Sequence, residues 1–208
     1  VKTVHGTFSA PVLVVATGGM SYPQTGSTGD GFAFAGMLGH EVSEPSPSLA
    51  PVYAADHRLA ELSGVTIPEA SVSLWRNGKK LLDRVGDLLI TRFGYSGPVI
   101  LDASRWMRAG DLLKVSFSPY SSADLDKLIR DACAAFGMKQ VQNLLDGSVC
   151  PERLVRTLVP ASGVPEGTTG SQLTARMRSR LVANLTAYPV LIDHVGDFKT
   201  AMVTAGGV

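Results

Sequence analysis

The hydrophobic pattern changes period twice, and the second change undoes the first. Short alternating runs occupy residues 71–117, helical spacing takes over from 121 to 187, and alternation resumes at 188. A chain that leaves one pattern and returns to it carries an insertion. The expected fold is therefore mixed α+β. A β-barrel-like subdomain (49–120) holds an inserted helical subdomain (121–187), and return strands follow at 188–208. A short α/β flank (1–48) precedes the β block, which is expected to be inserted in turn into a parent α/β domain.

The local signals are these. Ala10–Val15 is an apolar, β-branched run that predicts a buried strand of the parallel type. A Gly-, Ser- and Thr-rich loop at 18–31 leads into a helix over Phe32–Leu38, stopped by Gly39. Residues 43–51 hold three prolines and no period, which marks a boundary. Ser71–Arg76, Asn77-Gly78 and Lys79–Val85 predict a tight hairpin. Leu88–Ile90 and Leu112–Phe117 predict two further strands, and the set suggests a small barrel or curled sheet. Ser121 or Ser122 caps a helix ended by Gly137, and Val141–Leu145, Pro151–Val159 and Gln172–Ala187 predict three more, with Pro151 at the first helical position. Arg176, Arg178 and Arg180 are expected on a solvated face. Strands are expected over Tyr188–Val195 and Thr200–Thr204, followed by a Gly-rich turn at Ala205–Val208.

Composition closes several classes. The apolar fraction is 45% and the net charge +1, so a disordered chain is excluded. Gly (22) and Pro (12) are only somewhat enriched. No apolar run reaches the roughly 18 residues of a membrane span. Nineteen basic against eighteen acidic residues give no extended footprint for nucleic acid. Cys133 and Cys150 make neither a disulfide framework nor a CxxC zinc site, and a reduced, cytoplasmic setting is expected, with a single bridge left open. His5, His40, His57 and His194 lack metal-ligand spacing and read as ordinary histidines, so no metal is expected. With no initiator Met and a strand-like start, the chain is expected to be a piece of a longer protein.

The residues richest in chemistry are Thr17-Gly18-Gly19 and Gly26-Ser27-Thr28-Gly29-Asp30-Gly31. Glycines let a backbone approach a ligand, hydroxyls donate, and the following helix offers free N–H groups. This suits a phosphate, a carboxylate or the polar edge of a flavin; a plain connecting loop accounts for the same residues equally well. It is neither a dinucleotide fingerprint, because Phe34 stands where GxGxxG needs glycine, nor a P-loop, which needs a lysine. Thr91–Pro98 is a second Gly-rich loop before a helix. Ser21 and Ser96 have no placeable base, and Asp30 and Asp102 are no spaced carboxylate pair.

Taken together, Val14–Gly19, Ser21-Tyr22-Pro23, Gly26–Gly31, Gly39-His40, Leu62–Val65, Gly94–Pro98 and Val203–Val208 span nearly the whole chain in a recognisable order. They resemble a group of bacterial and archaeal NAD(P)/FAD-dependent oxidoreductases, often labelled the aminoacetone oxidase family, distantly related to glutathione reductase. The resemblance implies a Rossmann-like FAD domain interrupted by an insert with a barrel-like and a helical part. It places Thr17, Gly18 and Gly19 at a strand end near FAD, Ser27, Thr28, Gly29, Asp30 and Gly31 near the flavin, and Thr204, Ala205, Gly206 and Gly207 on a returning strand that approaches it. It implies FAD and NAD(P)H as cofactors and a small-molecule substrate, with no nucleic acid and no membrane as partners.

Two departures qualify this. Where the family loop reads Thr-His-x-Gly-Leu-Ser-Gly-Pro, Arg92 replaces the histidine and Tyr95 the leucine, so no substrate is carried over. The chain holds no GxGxxG-containing βαβ unit for a pyrophosphate and no Gly-Glu…Gly-Gly-Tyr-Asn segment. By itself it is expected to bind FAD weakly or not at all and to be inactive. Tyr22, Asp30 and Arg92 are residues to test; no acid or base is assigned. The rival expectation is a non-catalytic ligand- or protein-binding module built on the helical block.

Overall fold

Asn77 and Gly78 both take positive φ (51° and 76°), and Arg76 pairs with Lys79 across them. Two central residues at positive φ match the twist of the flanking strands, so the Asn-Gly pair fixes the longest hairpin. Its strands are β5 (Thr66–Arg76) and β6 (Lys79–Ile90). The computed structural model describes residues 1–145, 147 and 149–208. In chain order its other strands are β1 (Lys2–Thr3), β2 (Gly6–Thr7), β3 (Ser43–Ser48), β4 (Val52–Ala54), β7 (Gly94–Ser96), β8 (Leu112–Ser116), β9 (Tyr188–Val195) and β10 (Val203–Gly207). Its helices are α1 (Asp30–Met37), α2 (Pro98–Ala103), α3 (Ser122–Ala135), α4 (Val141–Leu144), α5 (Glu152–Ala161) and α6 (Ala175–Thr186).

Six strands close into an antiparallel barrel in the order β4-β7-β6-β5-β8-β9. Val72, Leu74, Leu88, Ile90, Leu113, Val115, Val190 and Ile192 are buried at alternate positions and fill it. Bulges interrupt β5 near Glu69, which takes φ 50°, and near Trp75, and they bend the hairpin into the barrel wall. Closure depends on β4, which pairs with both β7 and β9. At Gly94 and Gly97 a Cβ would strike neighbouring backbone. Arg76 and the buried Asp111 form a two-bond ion pair (2.7 and 2.8 Å) that ties the hairpin end to the start of β8.

The helices α3 to α6 lie in sequence between β8 and β9, which are neighbours in the barrel. Leu125, Ile129, Leu154, Leu158, Leu181 and Leu185 are buried and continuous with the barrel core. Ser121 caps α3 by accepting from the Asp124 N–H (3.2 Å). Arg178 of α6 reaches Asp126 of α3 at 2.7 Å.

Several expectations are corrected. Residues 10–15 form no strand: Val12, Leu13 and Val14 are 74%, 60% and 80% exposed. A buried parallel strand needs a neighbour on each edge, and among the described residues none pairs there. The proline-rich stretch 43–51 is no structureless boundary, because β3 runs through Pro45 and Pro47 and pairs with β10. In a two-stranded sheet each strand has a free edge, where a missing N–H costs nothing. The strand expected over Thr200–Thr204 begins instead at Val203, and the expected terminal turn is itself strand up to Gly207. Leu88–Ile90 is the end of β6, and the loop 91–98 contains β7. Pro151 has extended ψ (134°) and is the N-cap of α5, its carbonyl accepting from Leu154 N (2.8 Å). α6 starts at Ala175, capped by Thr174. Its Arg176 and Arg180 are exposed, whereas Arg178 is ion-paired. Both cysteines are free.

Candidate functional site

The Gly-rich loop and β10 meet. Thr204 Oγ1 accepts from the N–H of Met20 (2.8 Å) and of Ser21 (3.1 Å). A Cβ at Gly19 would fall 2.7 Å from that same oxygen. A Cβ at Gly31 would collide with Thr17 Oγ1, and one at Gly18 would stand 3.2 Å from Ser27 Oγ. Gly29 (φ 85°) and Gly207 (φ 116°) lie against Met20 and the Phe32 ring. The glycines are therefore required first by the packing of the loop on itself. Tyr22 is held at φ 53°, its N–H donating to Phe198 O at 2.9 Å. A non-glycine residue there is strained.

α1 opens at Asp30, whose charge complements the helix N-terminus. It ends as expected: Gly39 N donates to Gly36 O (3.0 Å) and His40 N to Ala35 O (3.0 Å), a Schellman closure. Between the segment 13–18, α1 and the chain end lies a groove of about 470 Å³, lined among others by Thr17, Gly18, Gly31, Phe32, His40 and Val208. The other face of segment 13–17 borders a second groove, of about 560 Å³, with Phe34, Met37 and Leu38.

Of the residues singled out in the sequence, Thr17, Gly18, Gly19, Ser27, Gly29, Gly31, Thr204 and Gly207 thus come together. Thr28 and Asp30 are exposed, while Ala205 and Gly206 face β3. His40, read from sequence as ordinary, lines the groove, and spacing could not have found it.

The loop before α2 is tied by backbone and side-chain hydrogen bonds. Thr91 N donates to Gly94 O (2.9 Å), and Ala54 N to Phe93 O (3.0 Å). His57 Nε2–H donates to Thr91 O (2.8 Å), leaving its buried Nδ1 without a partner among the described residues. Arg92 projects beside Phe93, its guanidinium 5.5 Å from the ring. Burial pushes the Tyr95 hydroxyl well above its ordinary range, so Tyr95 holds its proton and is no base. No cluster of three or more metal-ligating side chains occurs among the described residues, nor is any described helix long and apolar enough to cross a membrane.

Residues 46–203 match a family described as HI0933-like protein barrel and H2TH domain. The chain belongs to the HI0933-like family. This family is of the FAD-dependent oxidoreductase type, as the sequence resemblance implied, and its name states the barrel found here. The chain is 31% identical over 199 residues to the ribosomal RNA dihydrouridine synthase of Escherichia coli, covering 94% of this chain and 48% of that protein. It is 27% identical over 216 residues to the 3-dehydro-bile acid delta(4,6)-reductase of Clostridium scindens, covering 97% and 50%. The Haemophilus influenzae ribosomal RNA dihydrouridine synthase is 27% identical over 198 residues, covering 94% and 47%. The chain spans about half the length of the curated relatives it matches.

The groove's residues fit part of a flavin. The free N–H groups opening α1 and the Thr17 hydroxyl can meet a polar ring edge, and Ala35, Leu38 and Val208 supply an apolar wall. With no GxGxxG turn in this sequence, the residues present do not make up a whole dinucleotide site.

Proposed function

We propose that this chain supplies the substrate-side cap and the flavin-edge loops of an FAD-dependent oxidoreductase that reduces its substrate, with NAD(P)H as electron source. The observation that carries this is the junction of the Gly-rich loop with β10 beside the 470 Å³ groove, in a chain of flavin-oxidoreductase-type family. The relatives' names, a dihydrouridine synthase and a delta(4,6)-reductase, both describe reductions and support that direction.

FAD, when bound, supplies hydride transfer. The chain's own residues orient it and exclude water. Thr204 clamps the backbone of Met20 and Ser21, so the Gly-rich turn before α1 keeps one shape. Thr17 and the first turn of α1 present donors to the ring edge. The barrel and its helices stand over the substrate, and the His57-held loop fixes where Arg92 points. In the parent, segment 11–17 is proposed as a strand of a Rossmann-like sheet. In support, its apolar side chains are exposed and residues 10–18 make no backbone hydrogen bond among those described. The free thiols fit a reducing, cytoplasmic setting.

The test is the visible spectrum of the full-length parent purified beside this 208-residue chain. A flavin band in the parent and a weak or missing one in the chain is expected. No band in the parent after added FAD sinks the reading and favours a binding module. Gly29→Val in the parent should abolish the band.

A further inference from the structure

The helical part holds a cavity of its own. Its volume is about 340 Å³, and it lies between the start of α4, the C-terminal half of α5 and the loop 164–168. It shares no lining residue with the 470 Å³ groove at the Gly-rich junction. Small-molecule sites run from about 300 to 1,000 Å³, so this one suits a ligand at the small end.

Hydrogen bonds fix the walls. Val141 N–H donates to Thr168 O (2.9 Å) and Gly170 N–H to Lys139 O (2.9 Å), which fasten the far end of the loop to the chain around the start of α4. The near end is tied by Val164 N–H to Val159 O (3.4 Å), and the Thr168 N–H and hydroxyl both donate to Pro165 O (3.2 and 2.6 Å). Val141, Val159 and Val164 are buried and form an apolar floor, while Pro160 and Pro165 stand exposed at the rim.

Two charged side chains of opposite sign line this cavity. Glu166 makes no ion pair among the described residues. Arg156 gives its Nε (2.9 Å) and Nη2 to Glu152 Oε1, and its Nη1 makes no hydrogen bond among the described residues. The backbone adds an acceptor. Pro160 lies inside α5 and has no N–H, so the Arg156 carbonyl lacks the helical donor that residue 160 would otherwise supply. Gln142 Nε2 donates to Gln140 Oε1 (3.0 Å), which ties the two lining amides together.

The charges select the class of ligand. A bare anion faces the unpaired Glu166 and finds Arg156 already neutralised by Glu152. A bare cation leaves the spare Arg156 donor without a partner. A zwitterion satisfies both. We infer that this cavity binds a free α-amino acid with a small aliphatic side chain. The ammonium group goes to the Glu166 carboxylate and the Arg156 carbonyl, the carboxylate to Arg156 Nη1 and the Gln140 amide, and the side chain to the valine floor between the two prolines. The site goes beyond the flavin reading and does not depend on it.

The experiment titrates L-valine into the 208-residue chain and follows the backbone amides of Gly167 and Thr168 by proton–nitrogen NMR correlation. Shifts that saturate, confined to α4, α5 and the loop 164–168, are expected. Isobutylamine, which lacks the carboxylate, and 3-methylbutanoate, which lacks the ammonium group, should each bind at least about tenfold more weakly, because each forgoes one set of charge-assisted hydrogen bonds. Glu166→Gln and Arg156→Gln should weaken L-valine by a similar factor. Both side chains are exposed, so the amide spectrum of the barrel strands should stay as it is. The inference is overturned if L-valine leaves these amides in place, or if either half-ligand binds as tightly as L-valine. It is equally overturned if Glu166→Gln leaves the affinity unchanged.

Discussion

Thr204 and Met20 are 184 residues apart, yet the Thr204 hydroxyl accepts the Met20 N–H at 2.8 Å and that of Ser21 at 3.1 Å. One side chain thus closes the Gly-rich loop onto β10. Thr204→Val keeps the shape and removes the acceptor from two donors that are half-buried. The expected loss is about 1–3 kcal/mol of local stability. Hydrogen exchange at Met20 and Ser21 should speed up relative to the barrel strands. Unchanged exchange would mean that the glycines, not Thr204, hold the loop.

The barrel was legible because its signals are local. Asn77-Gly78, the alternation of β5 and β8, and the Ser121 cap each act within a few residues, and each appears where expected. β3 was not legible. Pro45 and Pro47 read as loop, and only a distant partner, β10, with a free edge makes them strand. The Ala10–Val15 run shows the converse: strong strand propensity yields no strand among the described residues, because pairing is a tertiary matter. The Gly-rich loop stood out in the sequence, but the immediate cause of its glycines, close contact with Thr17, Thr204 and Phe32, appears only in three dimensions. Arg156 and Glu166 gave no signal, since the walls of a cavity have no sequence spacing.

Acid should weaken the barrel through Asp111. Burial opposes its ionisation, but hydrogen bonds from the Arg76 guanidinium and Arg108 N–H, with their charges, outweigh that and hold its carboxyl below the usual carboxylate range. A depressed folded-state pKa stabilises above the unfolded value, about 3.9, and the gain is lost as pH falls through the folded value. Melting temperature should therefore drop on going from pH 5 to below about 4, and Asp111→Asn should flatten part of that slope while lowering stability at pH 7. Parallel pH profiles in the two proteins would remove Asp111 from the account.

Two glycines with similar φ should respond differently. Gly78 (φ 76°) has open space at its Cβ, so Gly78→Ala pays only for the left-handed conformation, about 1 kcal/mol. Gly97 (φ 90°) would place its Cβ 2.6 Å from Asp87 O and 2.8 Å from Leu89 N. That obstruction is backbone of β6 and cannot turn aside. Gly97→Ala should cost more than about 3 kcal/mol by denaturant titration. Equal losses would show that the wall beside α2 yields.

The cysteines offer a probe of opening in the helical part. Cys150 is buried, and burial pushes its thiol up to about 12; burial also raises Cys133, partly offset by Arg178. Only the thiolate attacks an alkylating reagent. At pH 8 a Cys150 pKa of about 12 leaves about one molecule in ten thousand as thiolate in the closed state. Labelling of Cys150 should then proceed through opening of the segment around α4 and α5, at a rate that rises with denaturant. Cys133, half-buried on α3, should react first, and more slowly than a free thiol. Mass spectrometry of iodoacetamide-treated protein reads both sites. Prompt native-state labelling of Cys150, faster than Cys133, would contradict the burial that sets its pKa.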